Sequence, residues 1–407
     1  MKLESVSNPT WWLISRIGLE ELRNNEAAIR SRKSSQYSRG ERPTARRNSR
    51  LRCAWLTSQR SANAIAPNEW PLQDYFPKHS PAEAVVGRIW CELSTREHIA
   101  LMESDEDIRY PVLGQIIMDR YGRQLSSSHV VGEWLEKLGY RLVCTAEAQA
   151  YRNIVMSADQ FRRSLTVAQA EECDATADWN YIVHHANPYR EWIGAQIRID
   201  SYGYAIPGDP ELAAEFAWRD ARISHSKNGI YGAMFCAAMI AKAFVTHDVV
   251  QIIQAGLAQI PSTCRLYAEM HQVIALCAEY GNKFDAFEAV IEGLYALLGH
   301  YNAVHTNNNA GVCVMALLLS GGDFHKGITL AVMGGWDTDC NGATVGSIVG
   351  AICGASNAPN HWTGRLNDTL KSLVAEYHPI SIRECARRST SIARRVLAGI
   401  GETGRKR

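Results

Sequence analysis

Gly334-Gly335-Trp336-Asp337-Thr338-Asp339-Cys340-Asn341-Gly342, joined to the small-residue run 343–355, is the stretch on which the reading of this chain turns. Glycines recur at 342, 346, 350 and 354. A spacing of four places them on one face of a helix, where the missing Cβ atoms let a second backbone come close. Each glycine inside a helix costs about 1 kcal/mol relative to alanine, so the pattern predicts compensation by close packing in a crowded centre. A membrane span does not fit. Asp337 and Asp339 interrupt the apolar run, and the apolar segment after them is shorter than the roughly 20 residues a crossing requires.

Around this stretch, helical periodicity dominates. Residues 310–319 and 328–333 are apolar runs that lead into the glycine segment, and 248–260, 266–280 and 284–298 are amphipathic at helical spacing. Residues 230–245 are apolar nearly all round, which predicts a central buried helix. Asp209-Pro210 supplies an N-cap and a first-turn proline for a helix over 211–222. Further upstream, 130–138, 146–153 and 159–173 read as helices, and Pro111 is placed in the first turn of a helix carrying the apolar run 112–118. Residues 187–208, dense in aromatics, glycine and arginine, read as irregular structure lining something. Few segments alternate as strands do, so the fold class is all-α.

The chain has 407 residues, 46% of them hydrophobic, which is ample for one large core. Its net charge of +1 makes no global case for nucleic acid as a partner. The 11 cysteines are odd in number, and Cys236, Cys277, Cys313 and Cys353 lie in apolar helical stretches without paired spacing, as in a reduced, cytoplasmic protein. No signal peptide is visible in the first 30 residues, which carry Glu4, Glu20, Glu21 and Glu26. Residues 1–66 differ from the rest: between Arg30 and Arg60 the only acid among many arginines is Glu41. We read them as a basic, poorly ordered leader, the rival being a segment that contacts nucleic acid or acidic surfaces. The all-α domain is placed at 67–400, with a basic tail at 401–407.

Two acidic motifs carry the chemistry. Asp337, Asp339, Asn341 and Gly342 match the first positions of a calcium-binding EF-hand loop, but the twelfth position, which should be a bidentate glutamate, is Ile348. The pair could instead cap a helix N-terminus. Against that stand glycine and apolar flanks, which imply burial, and a second acidic cluster at Asp105-Glu106-Asp107. Buried carboxylates near one another cost several kcal/mol unless a cation neutralises them, and hard oxygen donors point to Mg²⁺, Mn²⁺ or Ca²⁺. A third polar run, His305-Thr306-Asn307-Asn308-Asn309, opens the helix over 310–319 and holds more amides than capping needs.

With these residues in view, the chain resembles the ADP-ribosylglycohydrolases, the family that includes dinitrogenase reductase-activating glycohydrolase. Gly334 to Asp339 with its small-residue helix is similar to the family's C-terminal metal motif, and Asp105-Glu106-Asp107 stands at its Thr-Asp-Asp motif. Residues 193–198 resemble its glycine and arginine segment, and Pro207-Gly208-Asp209-Pro210 with Ser224-His225 its middle. The resemblance covers roughly 70–375, in the family's order.

It implies a compact orthogonal multi-helix bundle with a central metal site. There Asp105, Glu106, Asp107, Asp337 and Asp339 hold two divalent cations, Mg²⁺ or Mn²⁺. It also implies contacts to ADP-ribose from Arg198, His305, Asn307 and Asn308. The activity implied is hydrolysis of the N- or O-glycosidic bond between ADP-ribose and a protein side chain or small acceptor, so the partner is an ADP-ribosylated protein or small conjugate, without membrane or nucleic acid. The alternative is a catalytically impaired ADP-ribose-binding or crystallin-like structural member. This sequence departs from the family at three places: Cys340 stands where Thr is usual, a weak ligand for a hard cation; Asp105 and Glu106 replace Thr and Asp; and the family's glycine-rich opening segment with its glutamate has no counterpart in 1–66. The acid and base of catalysis are therefore unassigned, with Asp107 and Asp337 as candidates.

Overall fold

Helix starts are written into this chain as capping residues. Asp209 accepts from the Leu212 amide, Asp248 from Val250 and Gln251, Asp323 from Lys326 and Ser381 from Glu384. The computed structural model describes Leu72, Asp74, Tyr75 and residues 92–157, 159–162 and 165–399, so the leader 1–66 and the tail 401–407 lie outside the described residues. Among the described residues there are 16 α-helices and no strand.

The helices are α1 (Glu106–Tyr121), α2 (Ser127–Lys137), α3 (Thr145–Ser157), α4 (Val167–Thr176), α5 (Trp179–His184), α6 (Asp200–Ala205), α7 (Pro210–Ala221) and α8 (Asn228–Ala243). They continue as α9 (Val249–Leu257), α10 (Arg265–Glu279), α11 (Phe287–Leu298), α12 (Thr306–Ser320), α13 (Phe324–Met333), α14 (Thr338–Cys353), α15 (Asn360–Thr363) and α16 (Ile382–Leu397). The fold is all-α, and among the described residues no helix is long and apolar enough to cross a membrane.

The centre is built from α8, α12 and α14. Every residue of α12 is buried, as is α14 from Asp339 to Ile352, and these helices pack on one another. Helix α8, apolar on nearly every side, also meets α6, α7, α9 and α10. The close approach expected at α14 is provided partly from across the interface. A Cβ on Gly327 of α13 would lie 2.9 Å from Val349 Cγ1 and 3.3 Å from Val345 Cγ1, so this glycine lets α13 lie against α14. Of the expected glycine stripe, Gly342, Gly346 and Gly350 are buried in α14, whereas Gly354 is the C-cap at φ 85° and ends the helix.

Three further expectations are corrected. Helix α1 starts at Glu106, so Pro111 lies inside it and Glu106 and Asp107 lie in its first turn instead of before it. The Asp105 carboxylate, by capping the Ile108 amide, starts the helix upstream of the proline. The helix read over 159–173 is broken into a 3₁₀ turn, Asp159–Arg162, and α4, because Thr166 and Gln169 cap one another reciprocally and begin a new helix. Residues 187–208 are not simply irregular: they contain the 3₁₀ helix Ile193–Arg198 and α6, both buried and packed on α1 and α8.

Candidate metal centre

Two helix N-termini deliver the acids. At α14 the chain turns through Gly335 (φ 79°) and Trp336 (φ 56°), both in the left-handed region. Glycine is required at 335 twice over, since a Cβ there would also stand 2.3 Å from the Tyr295 hydroxyl. Tyr295 donates to the Gly334 carbonyl at 3.2 Å and stacks on Trp336 with ring centroids 4.3 Å apart, which secures the turn from α11. Asp337 then occupies the N-cap position but its side chain makes no capping hydrogen bond, so the capping alternative does not account for it. Asp339 and Cys340 come next in the first turn, both buried.

Asp107 comes from the first turn of α1 and is 3% exposed. Ligand atoms of Asp107, Asp339 and Cys340 all lie within 4.8 Å of one another. The two acidic motifs, remote in sequence, are therefore brought together. Asp105 and Glu106 are half-buried beside them, and Asp105 Oδ1 accepts from the Ile108 amide at 3.0 Å.

The electrostatics are those of crowded, dehydrated anions. Burial pushes the Asp107 carboxyl well above the usual carboxylate range, and its charged neighbours Asp105, Asp337, Glu106 and Asp200 push it the same way. Asp337 is also raised, mainly by burial, with Asp339 and Cys340 beside it pulling it back. Burial, followed by Asp107, Asp337 and Asp339, holds the Cys340 thiol well above its ordinary value. A divalent cation fits this set, because carboxylate oxygens converging at low dielectric repel one another until a positive charge compensates them.

The polar run that opens α12 supports the centre through a residue that sequence reasoning passed over. Asn309 Oδ1 accepts from the Asp337 amide at 3.1 Å and from Asn341 Nδ2 at 2.9 Å. Its Nδ2 donates to the carbonyls of Ala303 and His305, both at 2.8 Å. Asn309 thus joins the start of α12 to the start of α14. The only signal for it was the surplus of asparagines.

The other expected ligand contacts fall in different surroundings. His305 is the N-cap of α12, accepting from the Asn307 amide, and burial lowers its pKa to about 4, so it stays neutral. Asn307 donates to Glu269 at 2.6 Å and Asn308 to the Asn302 carbonyl at 3.0 Å; the side-chain oxygens of both are buried and accept no hydrogen bond among the described residues. Those two oxygens are buried polar atoms of this run left for a ligand or water.

Arg198, expected to contact ADP-ribose, is 1% exposed, its Nη1 donates to Glu147 at 2.8 Å, and its Nε pairs with Asp220. A guanidinium so committed is part of the core's ion-pair network. Gly194 makes room for this network, since a Cβ there would meet Glu147 Oε1 at 2.2 Å. Neither Glu147 nor Asp220 carries a local signal in the sequence. Asp200, also missed, is buried near Asp107, with burial raising its pKa to about 7.

The ADP-ribosylglycohydrolase family model matches residues 57–395. A solved structure described as an ADP-ribosylglycohydrolase-related protein complex is similar at 17% identity and a TM-score of 0.38, covering 71% of this chain and 98% of that one. No curated protein matches.

Proposed function

Because the chain belongs to the ADP-ribosylglycohydrolase family, we propose that it is a divalent-cation-dependent hydrolase of the glycosidic bond joining ADP-ribose to a protein side chain or small acceptor. One observation carries the proposal: the convergence of Asp107, Asp339 and Cys340 within 4.8 Å, from two motifs at opposite ends of the helical body's sequence. Asp105, Glu106, Asp107, Asp337 and Asp339 are the residues we assign to hold two cations, Mg²⁺ or Mn²⁺. Bound there, the cations would stabilise the ribose diol and the developing charge of an oxocarbenium-like transition state.

The remaining work falls to the chain. Proton transfer is assigned to the same acidic set, Asp107 or Asp337. Asn309 fixes the backbone at Asp337, and the buried carboxamide oxygens of Asn307 and Asn308 are offered to the hydroxyl groups of the ligand. The departures at Asp105, Glu106 and Cys340 favour a second reading, an ADP-ribose binder without turnover. Calorimetry with Mg²⁺ and Mn²⁺ and measurement of ADP-ribose released from ADP-ribosylated protein decide between them. A hydrolase binds a cation and releases ADP-ribose, and Asp337→Ala abolishes both. A binder retains ADP-ribose affinity with no release above a metal-free control. Neither cation binding nor ADP-ribose binding would reject both readings.

A further inference from the structure

We propose that Cys340 is an inner ligand of this centre and biases it away from Mg²⁺ toward thiophilic divalent cations of the Zn²⁺ and Fe²⁺ class. The inference rests on reading the acids as metal ligands and changes which cation they hold. Its basis is geometric: the Cys340 sulfur lies within 4.8 Å of carboxylate oxygens of both Asp107 and Asp339, and all three side chains are buried. Cys340 sits directly after Asp339 in the first turn of α14 and stands three residues after Asp337, so it shares a helix face with the first acid of the motif.

A cation central to the carboxylates is therefore within reach of the sulfur. Mg²⁺ requires near-octahedral oxygen coordination at about 2.0–2.1 Å and gains little from sulfur. Zn²⁺ binds cysteine sulfur at about 2.3 Å and carboxylate oxygen at about 2.0–2.2 Å, so a mixed set suits it. Coordination exchanges the thiol proton for a metal–sulfur bond, and the proton leaves to solvent.

The test uses the full chain and aqueous cations. Titration with Cd²⁺ or Co²⁺ should produce a saturable thiolate-to-metal charge-transfer absorption in the ultraviolet. The band should vanish in Cys340→Thr and Cys340→Ser and be weakened in Asp339→Asn. Competition against Mn²⁺, monitored by its electron paramagnetic resonance, should show that Cys340→Thr lowers the preference for Zn²⁺ over Mg²⁺ by at least about tenfold. Should the variants fold poorly, alkylation of the wild-type protein mapped by mass spectrometry gives the same answer: Zn²⁺ protects Cys340 and Mg²⁺ does not.

A charge-transfer band that survives both Cys340 substitutions, or equal protection by Zn²⁺ and Mg²⁺, overturns the inference. If Mn²⁺ still binds and is lost in Asp107→Asn, the metal centre stands without a role for Cys340. If no cation binds at all, the metal centre falls as well.

Discussion

Asn309 shows how one side chain can decide a site without being a ligand. It is fully buried, and its oxygen is shared by the Asp337 amide and the Asn341 side chain. Asn309→Ala removes the acceptor of the Asp337 amide and leaves Asn341 Nδ2 only the Gly335 carbonyl at 3.3 Å, and an unsatisfied group in the interior costs about 1–3 kcal/mol. We therefore predict a loss of about 1–3 kcal/mol in urea denaturation; a loss below about 1 kcal/mol would show that water replaces the amide. Asp200 makes a pH prediction. Its carboxylate accepts from Ser347 on α14 and from Tyr204 at 3.4 Å, yet burial still raises its pKa from 3.8 to about 7. An acid raised on folding binds its proton more tightly in the folded state, so its stabilising contribution is present below about pH 3.8 and lost as pH climbs through about 7. Unfolding free energies of wild type minus Asp200→Asn should fall steadily between about pH 4 and pH 7, and a constant difference would show that Asp200 is ionised throughout.

Elements were legible to different depths for physical reasons. The helices with a strong apolar stripe or an unambiguous cap, α7, α8 and α10, lie close to where periodicity and capping chemistry put them. The reading failed where a short-range competitor decides the boundary. Asp105 starts α1 upstream of Pro111, and Thr166 with Gln169 starts α4 inside a stretch whose periodicity suggested one helix. The glycine pattern correctly marked α14 as buried, but the glycine shown to admit close approach is Gly327, on the facing helix. Gly327→Val would drive methyl groups into Val345 and Val349, and overpacking of this kind costs about 1–3 kcal/mol. Thermal unfolding should report it as a lower Tm, with Gly327→Ala intermediate; equal Tm values for wild type and valine would mean that α13 and α14 are not in close contact.

Across the whole molecule, the network of Glu147, Arg198 and Asp220 joins α3, the 3₁₀ helix Ile193–Arg198 and α7, with Tyr202 of α6 donating to Asp220 at 2.7 Å. Arg198→Met removes the guanidinium of that network and leaves two carboxylates buried together. Breaking a buried pair costs about 3–5 kcal/mol, so we predict a protein close to unfolding at neutral pH, readable by circular dichroism. Replacing Glu147 and Asp220 as well, by Gln and Asn, should restore much of the stability. A single Arg198→Met variant as stable as wild type would show that the carboxyls are held protonated.

Periodicity, capping and the cost of burying charge act over a few residues, and for that reason the all-α class, the burial of α8 and α14, and the two acidic motifs can be read from the chain alone. Which of their residues meet is decided by helix packing. Whether Asp107 meets Asp339, whether Arg198 faces a ligand or two buried acids, and whether Asn309 caps its own helix or anchors another are questions about residues far apart in the chain. Local chemistry is blind to them, since the partner that satisfies a buried polar group is chosen only when the helices pack. Cys340 is the sharpest case: in the sequence a weak substitute for threonine, in the fold a sulfur within reach of two carboxylates.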